Sequence, residues 1–260
     1  MEALTVFFVA VAGLVLGSFF NVVIYRLPRG LNLSKPPSAC PGCGGRIKPY
    51  DNVPVLSYLL LRGKCRRCGR RISPVYPAVE ALTAAGFVLV YFIGAGRTLG
   101  AEFFAGCLFT SALIVLGFID YYHQVLPDAV TMPGLVLALA YAFFRDDLTF
   151  RGALLGAVLG SGFLLLVYGA YYLVRKKEGL GMGDVTMMLM VGAFLGPLRT
   201  LFVLILASFV GAAVGLYLVR RRGKDFQFAL PFGTFIAPAA FVALLWGERI
   251  VRAYLALYKR

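Results

Sequence analysis

Apolar residues run along this chain in long blocks, without the polar alternation expected of a soluble domain. Read as helices, the blocks give eight membrane spans, at about 4–25, 78–95, 101–119, 128–144, 152–174, 184–197, 199–219 and 228–246. Between the first two lies a stretch of different texture, 26–77, rich in Gly, Pro, Arg and Cys and poor in large apolar positions. The pattern predicts an all-α polytopic membrane protein of about eight transmembrane helices, with a small insertion between the first and second. The expected division is a first helix over 1–25, the insertion over 26–77 and a membrane-embedded core over 78–260. The first block, Leu4 to Ile24, has no basic region before it and no small-residue cleavage site after it, and is expected to stay as a span.

Composition agrees with that reading. The chain has 260 residues, 60% hydrophobic and 15% charged, against about 45–50% and 25% in a soluble domain. Its formal charge of +14 would suggest nucleic acid if it were spread evenly, but it is not. Residues 26–77 carry 11 Lys/Arg, Arg175-Lys176-Lys177 three more, and Arg220-Arg221-Arg222 with Lys224 another four. The alternate loops hold only Arg97, Arg145, Arg151 and Arg199, so 18 cations oppose 4. The positive-inside rule makes the basic segments cytoplasmic. The charge is mostly topology, membrane lipid is the natural partner of Arg220–Arg222, and no nucleic-acid partner is expected. Four basic residues after Trp246 fall on the wrong side in this scheme.

The cysteines of the insertion form C-x2-C-x21-C-x2-C, at Cys40, Cys43, Cys65 and Cys68. They lie in an internal repeat, "CPGCGGRIKP" and "CRRCGRRISP". Each half resembles a zinc knuckle, and the Gly after its second Cys suits a turn with positive φ. Two knuckles supply the four sulfurs of a closed, structural Zn2+ site. A pair of disulfides is the competing reading, opposed by the reducing compartment that the topology assigns. Cys107 lies alone inside the third span, where small-residue packing is its expected role.

The chain has only 12 acids. Most fall in loops or tails, where a solvated surface is the default. Glu80, in "YPAVEALT", opens the second span, either as a first-turn acid facing the helix dipole or as part of a site. Asp184 ends the glycine-rich "EGLGMGD", with glycines at 179, 181 and 183, just before an apolar helix. Asp128 follows Pro127 at another helix start. Both are candidate N-caps. Asp120 ends the run "SALIVLGF-I-D", at the negative end of a helix, where a carboxylate is disfavoured. Two carboxylates brought within reach share a proton. One then activates water for attack on an amide carbonyl, while the other polarises that carbonyl and protonates the leaving amine. The Gly-x-Gly before Asp184 allows close backbone approach, with room for an extended substrate chain. His123, the single histidine, is expected to be a surface or capping residue. Asn21, with Gly13, Gly17 and Ser18, belongs to a small-residue face expected to pack closely on a neighbouring helix, and Asn21 is also a candidate for lining the site.

"FIDYYHQVLPD" (118–128) together with "GMGDVTMML" (181–189) resembles the two active-site signatures of the type IV prepilin peptidases, the bacterial branch of the Gly-x-Gly-Asp membrane aspartyl proteases. The resemblance extends to "GSFFNVVIYRLPRG" (17–30), "DNVPVLSYLLLRGKCRRC" (51–68) and "ISPVYPAVE" (72–80), in the family's order over essentially the whole chain. It implies that Asp120 and Asp184 are the catalytic pair, with Asp128, Gly181 and Gly183 in support. It implies removal of the basic leader of type IV prepilins or pseudopilins, after a glycine, at the cytoplasmic face of the bacterial inner membrane. It also implies methylation of the new amino terminus from S-adenosylmethionine, since the four-Cys segment marks the bifunctional type. No Gly-rich strand-turn-helix locates a methyl-donor pocket. Two readings from other classes compete. A proton-coupled transporter predicts acids at mid-span and inverted repeats. A zinc-ribbon membrane scaffold predicts a binding face on the basic insertion, whose aromatics are only Tyr50, Tyr58 and Tyr76.

Overall fold

The computed structural model describes residues 1–176, 181–222 and 230–257. The expected positions Lys177, Gly179, Lys224 and 228–229 lie outside the described residues. Every described regular element is helical, and β-type pairing among the described residues consists of two isolated bridges, Ala39 with Arg46 and Lys64 with Arg71. Among the described residues six helices are long and apolar enough to cross a membrane, and the chain is a multi-pass membrane protein. The expected spans at 128–144 and 184–197 correspond to two shorter apolar helices, Asp128–Tyr141 and Met182–Leu195.

The chain divides into two compact units, Met1–Val115 and Leu116–Arg260. In the first, α1 (Glu2–Arg26) packs on α3 (Val75–Leu89), and the insertion with its one-turn helix α2 (Leu56–Leu60) connects them. The small-residue face of α1 makes this pairing possible. A Cβ on Gly13 would lie 2.5 Å from Ala84 Cα, and one on Gly17 would lie 2.7 Å from Glu80 Cα. Asn21 is buried and donates to the Tyr76 carbonyl at 3.0 Å, which ties the end of α1 to the start of α3. The helix α4 (Ala101–His123) begins in this unit and gives its last turns to the next.

The second unit is built around α7 (Met182–Leu195), which is apolar on all sides and buried along nearly its whole length. Around it lie α5 (Asp128–Tyr141), α6 (Phe150–Arg175), α8 (Pro197–Arg222) and α9 (Gly233–Leu257). Local chemistry sets the boundaries. The Thr149 hydroxyl accepts the Gly152 N–H at 3.2 Å and caps α6. Gly196, at φ +78°, ends α7, and Pro197 starts α8 with no helical amide to forfeit. Arg145, its side chain 8% exposed, donates to the carbonyl of Phe194 at the end of α7 and pairs with Asp147 at 2.5 Å. Arg199 joins Asp147 to Glu248, which also pairs with Arg252. Two acids and three arginines thus clasp one end of this unit. Arg252, one of the cations after Trp246, thus has an acidic partner in Glu248.

The crossing of α6 on α7 is nearly backbone on backbone. A Cβ on Gly156 would collide with the Gly192 carbonyl oxygen, and one on Gly192 with that of Gly156. Small residues allow this approach, and in lipid packing is the main source of helix association. Gly156→Ala is therefore expected to destabilise the protein by about 1–3 kcal/mol, read as a lowered thermal midpoint in detergent. An unchanged midpoint would mean that the helices separate freely.

Candidate active site and metal centre

Asp120 sits in the last turn of α4, 4% exposed, where the helix dipole disfavours its charge. The start of α9 compensates. Asp120 Oδ2 accepts the Thr234 backbone N–H at 2.7 Å and the Thr234 hydroxyl at 3.2 Å. The carboxylate at the negative end of one helix is received by the positive end of another. Gly233 lets them meet, since a Cβ there would lie 3.0 Å from both Asp120 Oδ2 and Leu126 Cδ1.

Asp184 is the third residue of α7, and its candidate role as an N-cap is not what the structure has. The cap position belongs to Gly181, in extended conformation, and no side chain makes a cap bond. Instead Asp184 is buried, and its Oδ1 has no hydrogen-bond partner among the described residues. It lies within electrostatic reach of Asp120, and the Gly233 amide stands beside both carboxylates. Gly181 has its α-carbon against Asp184, so that a Cβ would be 3.3 Å from Oδ2. Gly183 has a different use from the one expected. A Cβ there would lie 2.8 Å from Leu126 Cβ, so the room over it is taken by this unit's own α4–α5 loop rather than left for a substrate.

Asp128 is not an N-cap either, since Pro127 holds that position without a side-chain cap bond. Asp128 is exposed at the start of α5, and its contact runs to the Thr131 hydroxyl at 3.5 Å. Thr131 in turn reaches Thr186 of α7 at 3.4 Å. Asp128 therefore touches the framework of the aspartate pair at one remove. His123 is half-buried in the last turn of α4. Gly233 and Thr234 were not singled out by sequence reasoning. The signal was there, as Gly-Thr in "PFGTF", but a span expected from 228 hides a helix that starts at Gly233.

The insertion in the first unit repeats its geometry as it repeats its sequence. The Cys40 N–H donates to the Gly45 carbonyl and the Gly44 N–H to that of Cys40, both at 2.9 Å. Cys65, Gly69 and Arg70 form the same turn at 2.8 and 2.9 Å. Gly44 and Gly69 have φ of +66° and +70°, as the turn requires. The four sulfurs of Cys40, Cys43, Cys65 and Cys68 lie within 4.8 Å of one another, and none is in a disulfide. The Cys40–Cys68 separation is 3.8 Å. A tetrahedron with Zn–S bonds of about 2.3 Å has edges of about 3.8 Å, so the residues fit a metal of that size. The Gly42 amide beside its sulfur, then that of Cys43, holds the Cys40 thiol down to about 6, favouring the thiolate that metals bind.

Glu80 is buried in the same unit, where its Oε2 accepts the Val55 N–H at 2.7 Å.

A multi-pass helical membrane protein that buries two aspartates beside one helix N-terminus, and carries a four-cysteine insertion, is a narrow class. The sequence matches the family description Bacterial Peptidase A24 N-terminal domain over residues 11–93 and Type IV leader peptidase family over residues 107–216. It is 40% identical to the prepilin leader peptidase/N-methyltransferase of Pseudomonas putida, over 95% of this chain and 92% of that protein. Proteins of the same description from Pseudomonas aeruginosa and Dichelobacter nodosus are 39% and 36% identical, over 94% and 95% of this chain and 91% and 93% of their own lengths. No solved structure matches. The chain belongs to the type IV leader peptidase family.

Proposed function

We propose that this protein is a prepilin leader peptidase and N-methyltransferase of the bacterial inner membrane. It cleaves type IV prepilins or pseudopilins after a glycine, at the cytoplasmic face. The observation that carries the peptidase reading is the buried, unpartnered Asp184 Oδ1 beside Asp120. A buried oxygen left without a partner costs about 1–3 kcal/mol, a cost that a protein keeps where a reacting group is to bind. Family membership supports the same activity, since the relatives are prepilin leader peptidase/N-methyltransferases.

In the proposed reaction the pair carries one proton between its two carboxylates. The carboxylate held by Thr234 has the fixed orientation that a general base needs, and takes a proton from water. The water oxygen attacks the scissile carbonyl carbon while the other carboxyl donates a hydrogen bond to the carbonyl oxygen. The tetrahedral adduct collapses, the C–N bond breaks, and the leaving amine takes up a proton from the pair. Asp128, Gly181 and Gly183 support this arrangement through Thr131, the Asp184 turn and Leu126.

The methyltransferase activity rests on the relatives, whose name includes it. The donor by family resemblance is S-adenosylmethionine, and the described residues provide no donor-binding set that we match to it. Zinc is proposed as the structural metal of Cys40, Cys43, Cys65 and Cys68. Closed by four sulfurs, it would hold the two knuckles together and leave no position for catalysis.

The test is mass spectrometry of a prepilin incubated with the purified protein, with and without S-adenosylmethionine. Loss of the leader after its terminal glycine is the expected product, with one added methyl group only when the cofactor is present. An intact substrate would overturn the peptidase reading. A finer test concerns Thr234. Thr234→Val keeps the backbone amide and loses the hydroxyl. It is expected to lower kcat about tenfold, the worth of one charge-assisted hydrogen bond of about 1.5 kcal/mol, with KM unchanged. Thr234→Ser is expected to restore the rate. Equal rates for all three proteins would remove the hydroxyl from the mechanism.

A further inference from the structure

The insertion of the first unit exposes a patch that neither proposed activity uses. On α2, Leu56, Leu59 and Leu60 are 58%, 63% and 82% exposed, and their i, i+3, i+4 spacing puts them on one face. The polar residue of this helix faces the other way. Ser57 is buried, donating to the Tyr50 carbonyl at 2.9 Å and accepting the Val53 N–H at 3.0 Å. The helix is inside out for a water-soluble segment, with its hydroxyl locked into the protein and its leucines turned outward. Such a patch marks a surface that something apolar covers.

Two further observations identify what covers it. The first is depth. Val55, directly before α2, is tied by its N–H to Glu80, and Glu80 lies five residues along α3 from Val75, about 7.5 Å at 1.5 Å per residue. The apolar span Val75–Gly94 has 20 residues, only just the number needed to cross the roughly 30 Å hydrocarbon layer. Matched to that layer, the start of α2 is held beside the span about 7.5 Å inside its first residue, the depth of the headgroup–acyl boundary rather than of bulk water. The second is charge. Residues 26–77 hold 11 Lys/Arg and a single acid, Asp51, which Arg66 already neutralises at 2.7 Å. Arg62 and Lys64, immediately after the leucines, are exposed and make no ion pair among the described residues. Leucines at interface depth followed by free cations are the chemistry of a segment lying in the headgroup region of an anionic leaflet.

We propose that α2 is an interfacial anchor. Its leucine face enters the leaflet at which α1 ends and α3 begins, while Arg62 and Lys64 bind anionic phospholipid headgroups, so that the cysteine-containing insertion is seated on the bilayer. Glu80 is the peg that sets its depth.

The test uses the full chain in nanodiscs of phosphatidylcholine alone or mixed with phosphatidylglycerol. Trp246 is the single tryptophan, so Leu60→Trp in a Trp246→Phe background gives one reporter at a site too exposed to need repacking. In the anionic discs its emission is expected to shift to the blue and to be largely quenched by lipids brominated near the headgroup. Quenching should fall in neutral discs, and in anionic discs when Arg62→Glu and Lys64→Glu are added. Red-shifted, unquenched emission in both lipids would overturn the proposal by leaving the face in water. Blue-shifted emission that brominated lipid leaves untouched would overturn it in favour of a protein partner. Equal quenching with and without phosphatidylglycerol would overturn the headgroup half.

Discussion

Asp184→Asn is expected to reduce leader cleavage by about 10^3-fold or more while leaving the thermal midpoint unchanged or higher. The rate estimate follows from what general acid–base groups contribute, about 10^2- to 10^4-fold each. In the proposed mechanism the pair acts as a unit, so losing one member is expected to remove most of what both supply. Stability should change little, because Asp184 Oδ1 has no hydrogen bond among the described residues for the substitution to break, and the amide oxygen of Asn can still face the Gly181 and Gly233 N–H groups beside the carboxylate. An amide is close in shape and needs no desolvation of a charge. Asp120→Asn should cost as much in rate but differ in stability. Its Oδ2 accepts two hydrogen bonds from Thr234, and an amide accepts them more weakly than a carboxylate. The checks are initial rates by mass spectrometry alongside thermal unfolding of the same preparations. Full cleavage by either variant would dismiss the pair as the catalytic groups.

Replacing Cys40 or Cys65 by Ser is expected to release the metal and unfold the insertion. Both knuckles contribute to one set of four sulfurs within 4.8 Å, so a defect in either opens the whole site. Few large apolar side chains of residues 26–77 are buried, and apparent metal binding worth about 10–16 kcal/mol in comparable structural sites far exceeds what such a segment gains from its own core. Metal analysis of purified wild type and variants reads the loss directly, and limited proteolysis reads the unfolding. Equal zinc in wild type and Cys40→Ser would sink the structural-zinc reading. A chelator should reproduce the variant's proteolytic pattern in the wild type, because folding and binding are one equilibrium in sites of this kind.

The sequence made some of this legible because the relevant physics is local. Long apolar runs identify spans by length alone, and the C-x-x-C-G repeat carries its turn with it, down to the positive φ of Gly44 and Gly69. Gly13 and Gly17 likewise announced a close helix crossing, and the structure has one, against Ala84 and Glu80. What stayed hidden depends on partners distant in sequence. Asp120 is anomalous in sequence because no neighbour offsets the helix dipole, and the group that does so, Thr234, is 114 residues away. Asp184 and Asp128 look like caps when each helix is read alone. Only the folded chain gives the cap positions to Gly181 and Pro127. The space over Gly183 could not be assigned to substrate or protein without knowing that Leu126 fills it.

The two helices that begin near the acids are short. Each of α5 and α7 has 14 residues, about 21 Å at 1.5 Å per residue, against a hydrocarbon layer of about 30 Å. Since α7 is enclosed by its neighbours, lipid meets the exposed side of α5, where a mismatch is relieved by local thinning of the bilayer or by tilt, at fractions of a kcal/mol per Å. The lipid thus becomes part of the catalyst's mechanical setting. In the proposed reaction, acyl-chain length then sets how far water and the scissile bond must travel to meet the aspartates. The same polypeptide in membranes of different thickness is, in that sense, a different enzyme.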